Sequence, residues 1–315
     1  MTQKNGSLPI QPKKNKKLKQ WLPVYLMMLP GLVYLFINNY LPMAGLVIAF
    51  KKVNFSTGIF KSPWCGLDNF EFLFKTKDAF IITRNTLLYN FAFIIVNTIL
   101  AILIAILISE IRGKVAKTVY QSAVLLPFLM SYVIVSYIVY AFLSGDTGMI
   151  NHSVLPLLGI SKIDWYSSDK YWPYIIIFVN FWKSVGYGVL IYIAGIAGID
   201  SSYYEAAALD GATKFKQVVH VTLPALVPSI ITLTLLSIGR IFYSDFSLFY
   251  QVPMNSGMLY NTTQTIDTYV YRGLLTLGNV GMASAAGFYQ SCVGFILVMC
   301  SNLIVKKISP DNALF

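Results

Sequence analysis

Read from the N-terminus, the chain alternates long uncharged runs with short polar intervals, and the run lengths predict most of its elements. Gln20 to Phe50 carries no charge, and a first helix is predicted from Leu22 to about Tyr40, broken near Pro42. The mixed interval Lys51–Thr83 follows, with a turn-rich Ser62-Pro63-Trp64-Cys65-Gly66 and an amphipathic Asn69–Phe74 suited to the outer membrane surface. Asn85–Ser109 is uncharged for 25 residues. That length crosses a hydrocarbon core of roughly 30 Å with some tilt and predicts the second helix. Glu110–Lys117 is a short cationic loop, and Thr118–Gly145 predicts the third helix. Asp146–Trp172 is rich in turn residues; His152 within it reads as a solvated surface residue without a role. Pro173–Ile199 predicts the fourth helix, interrupted by Lys183. After a polar stretch beginning at Asp200, Leu223–Phe249 predicts the fifth, with Arg240 and Asp245 in its outer half. Tyr250–Gly278 is too rich in Asn, Thr, Gln and Gly to span. A 33-residue uncharged run from Gly273 contains the sixth helix and ends at Lys306 and Lys307.

The pattern is that of an all-α integral membrane protein with six transmembrane helices. Composition agrees: 56% of the 315 residues are hydrophobic and 12% are charged, about half the charged share of a soluble domain. The net charge of +11 could indicate nucleic acid, but the basic residues sit at the ends of apolar runs. Thirteen Lys and Arg fall in the four segments assigned inward, against nine in the outer loops, six of those in the long first loop where the charge rule is weak. N- and C-termini are therefore expected in the cytoplasm. Residues 1–19, with Lys4, Lys13, Lys14, Lys16, Lys17 and Lys19, read as a disordered tail that sets topology. No small-residue cleavage site follows the first apolar run, which is expected to remain as a helix. Cys65, Cys292 and Cys300 have neither metal nor disulfide spacing.

The polar stretch Asp200–Leu226 reads DSSYYEAAALDGATKFKQVVHVTLPAL. Ser202 and Glu205 have the spacing of a capping box, which predicts a helix starting near Tyr203. Ala206, Ala207, Ala208 and Leu209 propagate it, and Gly211 can end it in a left-handed conformation. Lys214–Val221 can form a second short helix, and Pro224 suits the first turn of the span that follows. A two-turn helix is unstable alone in water and must pack on its own chain or on a partner. Glu205-Ala206-Ala207, then Gly211, then nine residues, then Val221-Thr222-Leu223-Pro224 resemble the EAA signature of ABC importer permeases, with Val221 where that family usually has Ile.

The resemblance covers about Asn85–Lys307 and implies the type I ABC importer permease architecture. It divides the chain into a cytoplasmic basic tail (1–20), a first helix with a long outer loop (21–84), a five-helix core with a coupling loop at 200–224 (85–307) and a C-terminal tail (308–315). It implies ATPase coupling through Glu205, Ala206, Ala207, Asp210, Gly211, Leu223 and Pro224. The implied partners are a second homologous permease in a heterodimer, two copies of a cytoplasmic ABC ATPase, an extracytoplasmic solute-binding protein and membrane lipid, with no nucleic acid. The implied location is the bacterial cytoplasmic membrane. Tyr40-Leu41-Pro42-Met43, Ser62-Pro63-Trp64, Phe181-Trp182-Lys183 and the closing Asp311-Asn312-Ala313-Leu314-Phe315 resemble permeases for complex oligosaccharides. Another solute class, such as amino acids or phosphate, fits the same architecture.

The chain has no phosphate loop of the G-x4-G-K-[ST] kind, no H-E-x-x-H and no nucleophile elbow. A non-catalytic membrane subunit is expected, without cofactor or metal, with ATP and Mg held by the partner ATPase; a polytopic membrane enzyme or scaffold is the rival class. Lys183, Arg240 and Asp245 are the charges inside predicted spans; because an ionisable group in hydrocarbon is costly, they are candidates for a solute pathway, the alternative being that Lys183 snorkels or that Arg240 and Asp245 pair with neighbouring helices to hold the bundle together. On one helix Arg240 and Asp245 would stand about 140° apart and not share a face. Trp182, Tyr187, Phe242, Tyr243 and Phe246 adjoin these charges and could stack on sugar rings. A guanidinium there would suit acidic sugar units.

Overall fold

The computed structural model describes residues 14–308. Most of both expected tails, residues 1–13 and 309–315, lies outside them. α1 (Lys14–Leu35) begins inside the expected basic tail and continues through a π-helical turn at Phe36–Tyr40 into a 3-10 stretch at Leu41–Phe50. The apolar span Trp21–Phe50 is therefore continuous over 30 residues. Pro42 changes the winding without interrupting the helix, because it stands in the first turn of the 3-10 stretch where no N–H is needed. Every residue from Trp21 to Ala44 is exposed, so α1 packs on little of its own chain.

After the loop comes the short α2 (Glu71–Lys75), whose buried Phe72 stacks on Tyr269. α3 (Lys77–Ser109) is 33 residues long and starts eight residues before the uncharged run. Its added turns carry charge, and Arg84 there donates to Asn261 O at 2.9 Å.

The expected third helix is two helices. α4 (Lys114–Leu129) and α5 (Tyr132–Leu143) meet at 98° across Met130–Ser131. Pro127 weakens the last turn of α4, Met130 and Ser131 are extended, and the Ser131 hydroxyl accepts from Ile134 N to start α5. At 12 residues α5 is about 18 Å long, too short to span alone. Counting this pair as one span, the described residues give up to six membrane-crossing units.

α6 (Leu155–Leu157) sits in the outer loop. Buried Asn151 organises that loop, donating to Ser144 O and Ile163 O and accepting from Ile163 N and Trp165 Nε1. α7 (Trp172–Ala197) matches the fourth predicted helix closely. α8 (Ser201–Leu209) is followed by α9 (Lys214–Gln217), which passes through a π-helical turn at Val218–Thr222 into α10 (Leu223–Ile238). α10 ends eleven residues before the predicted Phe249. The short α11 (Phe246–Gln251), α12 (Tyr260–Thr263) and α13 (Ile266–Leu275) follow. α14 (Val280–Ile308) closes the described chain, starting within the uncharged run from Gly273 that is predicted to contain the sixth helix and extending past its end at Lys306.

The bundle is centred on α3 and α7. Ala101 and Ala105 face Val185, Val189 and Tyr192 in a buried cluster that also takes in Leu226 of α10. Small residues let the backbones approach where apolar burial gives no net drive in lipid. α4 and α7 approach closely at Gly186, where an added Cβ would run into Val124 O of α4. Gly186→Ala should therefore destabilise the detergent-solubilised protein by about 1–3 kcal/mol. Gly287→Ala on α14, where the Cβ meets open space, should not lower the melting temperature. Equal melting temperatures for the two variants would show that the α4–α7 contact is slack.

Candidate functional site

The fifth span does not carry Arg240 and Asp245 on one helix. α10 stops at Ile238, and Gly239–Asp245 runs through successive turns, Arg240 N bonding Ser237 O at 3.1 Å and Tyr243 N bonding Arg240 O at 2.9 Å. Asp245 then caps α11, its carboxylate accepting from Ser247 N at 3.0 Å and Leu248 N at 3.3 Å. Because the helix is broken, the 140° separation does not apply, and both charges line one cavity of about 480 Å³. Asn90, Asn97, Asn180 and Ser184 complete its polar wall. A second cavity of about 340 Å³ shares Asn97, Thr98, Ser184, Ser237 and Arg240 with the first and extends past Tyr187 and Tyr192. Together they form one groove along α3, α7 and α10, polar at the Asp245 end and more apolar past Leu233 and Leu236, with Arg240 where the two cavities meet. The ion pairs among the described residues are Lys75–Glu71 and Lys214–Glu110, and neither involves the groove.

The other candidate residues are dispersed. Lys183 is buried and turns toward the α4–α5 break, donating to Phe128 O at 3.1 Å with its ammonium over the rings of Phe128 and Tyr132. It thus meets a carbonyl that the end of α4 leaves free, where helix polarity also favours a cation. Trp182 faces an apolar pocket between α5 and α7. Tyr187 stacks on Phe128 at 5.5 Å and borders the second cavity. Tyr243 lines the first, whereas Phe242 is buried against Tyr289. Phe246 packs with Tyr250 and Tyr271.

Much of this wall is uncharged: Asn90, Asn97 and Asn180 are amides within predicted spans, as is Gln290 of α14 outside the wall, and an amide in hydrocarbon also needs a partner. Asn97 donates to Asn180 Oδ1 at 2.9 Å between α3 and α7. Asn90 and Asn97, seven apart, share a helix face, a signal present in the sequence.

At the opposite end of α7, Asp200 rather than Ser202 caps α8, accepting from Ser202 N at 2.9 Å. That donor holds the Asp200 carboxyl below the usual carboxylate range. The capping box with Glu205 does not form, since Ser202 is already helical. Gly211 is left-handed as expected, at φ +76°. Gly211 N bonds Ala208 O at 3.0 Å and Ala212 N bonds Ala207 O at 2.9 Å, the paired bonds of a Schellman ending. Glu205, Ala206, Asp210 and Gly211 are exposed, beside Tyr203, Leu209 and Phe215. Tyr204 turns inward, its hydroxyl 2.9 Å from Thr222 Oγ1, just before Leu223 and Pro224 begin α10.

A bundle of apolar spans with a groove open along one side, carrying exposed Arg240 and Asp245, and a capped helix exposed at one end defines a membrane permease component. The sequence pattern of the family described as binding-protein-dependent transport system inner membrane component matches residues 97–310, and the chain belongs to that family. It is thus a multi-pass, non-catalytic component of a bacterial inner-membrane transport system. Among its relatives in Bacillus subtilis strain 168, protein LplB is 35% identical over 94% of this chain and 92% of its own length. The polygalacturonan/rhamnogalacturonan transport system permease protein YteP is 34% identical over 94% and 91%. In three dimensions the chain is similar to a bacterial ABC transporter involved in the import of the acidic polysaccharide alginate. The TM-score is 0.85 at 30% identity, over 95% of this chain and 100% of that one.

Lys183→Met removes the donor to Phe128 O and should lower stability by about 1–3 kcal/mol. Solute uptake by the protein that reaches the membrane should keep its KM. A changed KM at unchanged melting temperature would return Lys183 to the pathway.

Proposed function

We propose that this chain forms half of the translocation path of an ATP-driven, binding-protein-dependent oligosaccharide importer, and that the groove between α3, α7 and α10 is the part of the path it contributes. The observation that carries this reading is the groove itself, with an exposed guanidinium and carboxylate at a helix break on one face of an otherwise apolar bundle. Side-chain amides and hydroxyls exchange hydrogen bonds with sugar hydroxyls, and Tyr187 and Tyr243 offer faces to sugar rings. Arg240 suits a uronate carboxylate bidentately, in keeping with the polygalacturonan and alginate systems to which the chain is similar. Asp245 is drawn toward its own helix N-terminus, which leaves the guanidinium of Arg240 for the solute.

The remaining partners follow from the same reading. α8, with Glu205, Ala206, Ala207, Asp210 and Gly211, docks on a cytoplasmic ABC ATPase through its exposed Tyr203 and Leu209, and Leu223 and Pro224 pass the movement into α10. Two ATPase copies hold the ATP and Mg. A second homologous permease completes the path as a heterodimer, with it and lipid covering α1. An extracytoplasmic solute-binding protein delivers the sugar; the similar alginate transporter is known in complex with an alginate pentasaccharide-bound periplasmic protein. Both termini lie in the cytoplasm.

Gly211→Val forces a β-branched residue into a left-handed conformation, although the Cβ has free space. Cells carrying it should insert the protein at normal levels, yet lose uptake and ATPase co-purification; normal uptake would refute the coupling role. Arg240→Gln should raise the uptake KM for an oligogalacturonate by about tenfold and change that for a neutral arabino-oligosaccharide by less than about twofold. Equal kinetics for both sugars would remove Arg240 from the path, and failure of the parental transporter to carry either would overturn the oligosaccharide reading.

A further inference from the structure

The break between α10 and α11 is held by side chains from three other helices. Asn90 Nδ2 of α3 lies 3.0 Å from Ile241 O and from Tyr243 O and 2.9 Å from Thr86 O of its own helix, so its two hydrogens are shared among three carbonyls. Gln290 of α14 donates to Phe242 O at 2.9 Å. Asp267, in the first turn of α13, accepts from Ser244 N at 2.7 Å. All three successive carbonyls and the amide after them are therefore met from outside the segment.

Asp267 is the hub of this arrangement. Its Oδ2 also lies 2.6 Å from Ser244 Oγ, and both its oxygens lie 3.2 Å from Gln290 Nε2. Gln290 has two amide hydrogens; with one on Phe242 O, the other needs the carboxylate, so Asp267 orients the donor as well as holding Ser244 directly. Asp267 is itself fixed by the start of α13, where Thr265 and Thr268 form a fully buried capping box and Ile266 N bonds Thr86 Oγ1 of α3 at 3.1 Å. The two ends of the segment thus held are Arg240 and Asp245, the charges of the groove.

We propose that Asp267 is a positioning residue for the groove: through Ser244 and Gln290 it fixes the Gly239–Asp245 break and so sets where Arg240 presents its guanidinium. Its effect on transport rests on the pathway reading above; its effect on geometry does not. An amide at 267 turns a donor toward Ser244 N or Gln290 Nε2, so even the isosteric Asp267→Asn releases the segment.

The test uses the full-length protein in membranes, with Cys65, Cys292 and Cys300 replaced by Ala and a single cysteine introduced by Arg240→Cys or, as a control on α7, by Tyr187→Cys. Labelling by a charged methanethiosulfonate reports the placement of each side chain. Asp267→Asn and Gln290→Met should each change the labelling rate at position 240 by about fivefold or more and leave that at 187 within about twofold, because releasing a held backbone segment acts locally. An unchanged rate at 240, or equal changes at both positions, overturns the proposal. If Asp267→Asn does not reach the membrane, Gln290→Met carries the measurement; absence of both assigns the network to folding and overturns it. In uptake of oligogalacturonate, Asp267→Asn should add no further rise in KM to Arg240→Gln, since residues acting through one another are not additive. A further rise shows that Asp267 does not act through Arg240. An unaltered KM in Arg240→Gln alone defeats the pathway reading and leaves the labelling result to decide the positioning role.

Discussion

A backbone that leaves the helix inside a membrane must find a partner for each freed N–H and C=O, and this requirement shapes the protein. Four orphaned groups at about 1–3 kcal/mol each would cost on the order of 10 kcal/mol, comparable with the whole stability of an ordinary domain. Both interior breaks are accordingly supplied with dedicated donors and acceptors. Lys183 serves the end of α4 at Phe128 O. Asn90, Gln290 and Asp267 serve the segment between α10 and α11. Irregular backbone is tolerated at membrane depth where protein or a polar cavity surrounds it, and both breaks meet that condition.

The second break is what gives the groove its chemistry. On a continuous helix Arg240 and Asp245 would point to different surroundings; across the break they line one cavity, with Asn97 and Asn180 bonded to each other along its wall. The first break turns the chain by 98° and seats α4 against α7 at Gly186, so Lys183 serves packing although it is charged and within a span. Charge inside a span thus meets two surroundings here, a helix-end carbonyl for Lys183 and an open groove for Arg240 and Asp245.

The capped stretch at the other end of α7 follows different rules. A nine-residue helix cannot stand alone in water. α8 is held by Asp200 at its start, by the left-handed Gly211 at its end and by Tyr204 against Thr222. The Lys214–Glu110 pair tying this region to α3 at 3.2 Å is largely exposed and adds at most about 1 kcal/mol. What remains outward is a face with Tyr203 and Leu209 uncovered, joined through the turn at Gly211 and the 25 helical residues Lys214–Ile238 to the edge of the groove.

The sequence by itself determined the apolar spans, because the thickness of hydrocarbon dictates their length, and it determined the family, because the Glu205–Pro224 spacing is long and specific. It also determined the end of α8 at Gly211, since a left-handed turn is a local property of one residue. It misread the start: Ser202 and Glu205 have capping-box spacing, but Asp200 lies two residues earlier and took the cap. Only the tertiary structure decided where the third and fifth spans break, because hydropathy records whether a segment prefers lipid and not whether its backbone can remain helical there. Pro127 and Gly239 weaken the helices locally, yet a break persists only if distant residues satisfy it. Asn90 and Gln290 lie 151 and 48 positions from the carbonyls they meet, a separation that no local pattern encodes.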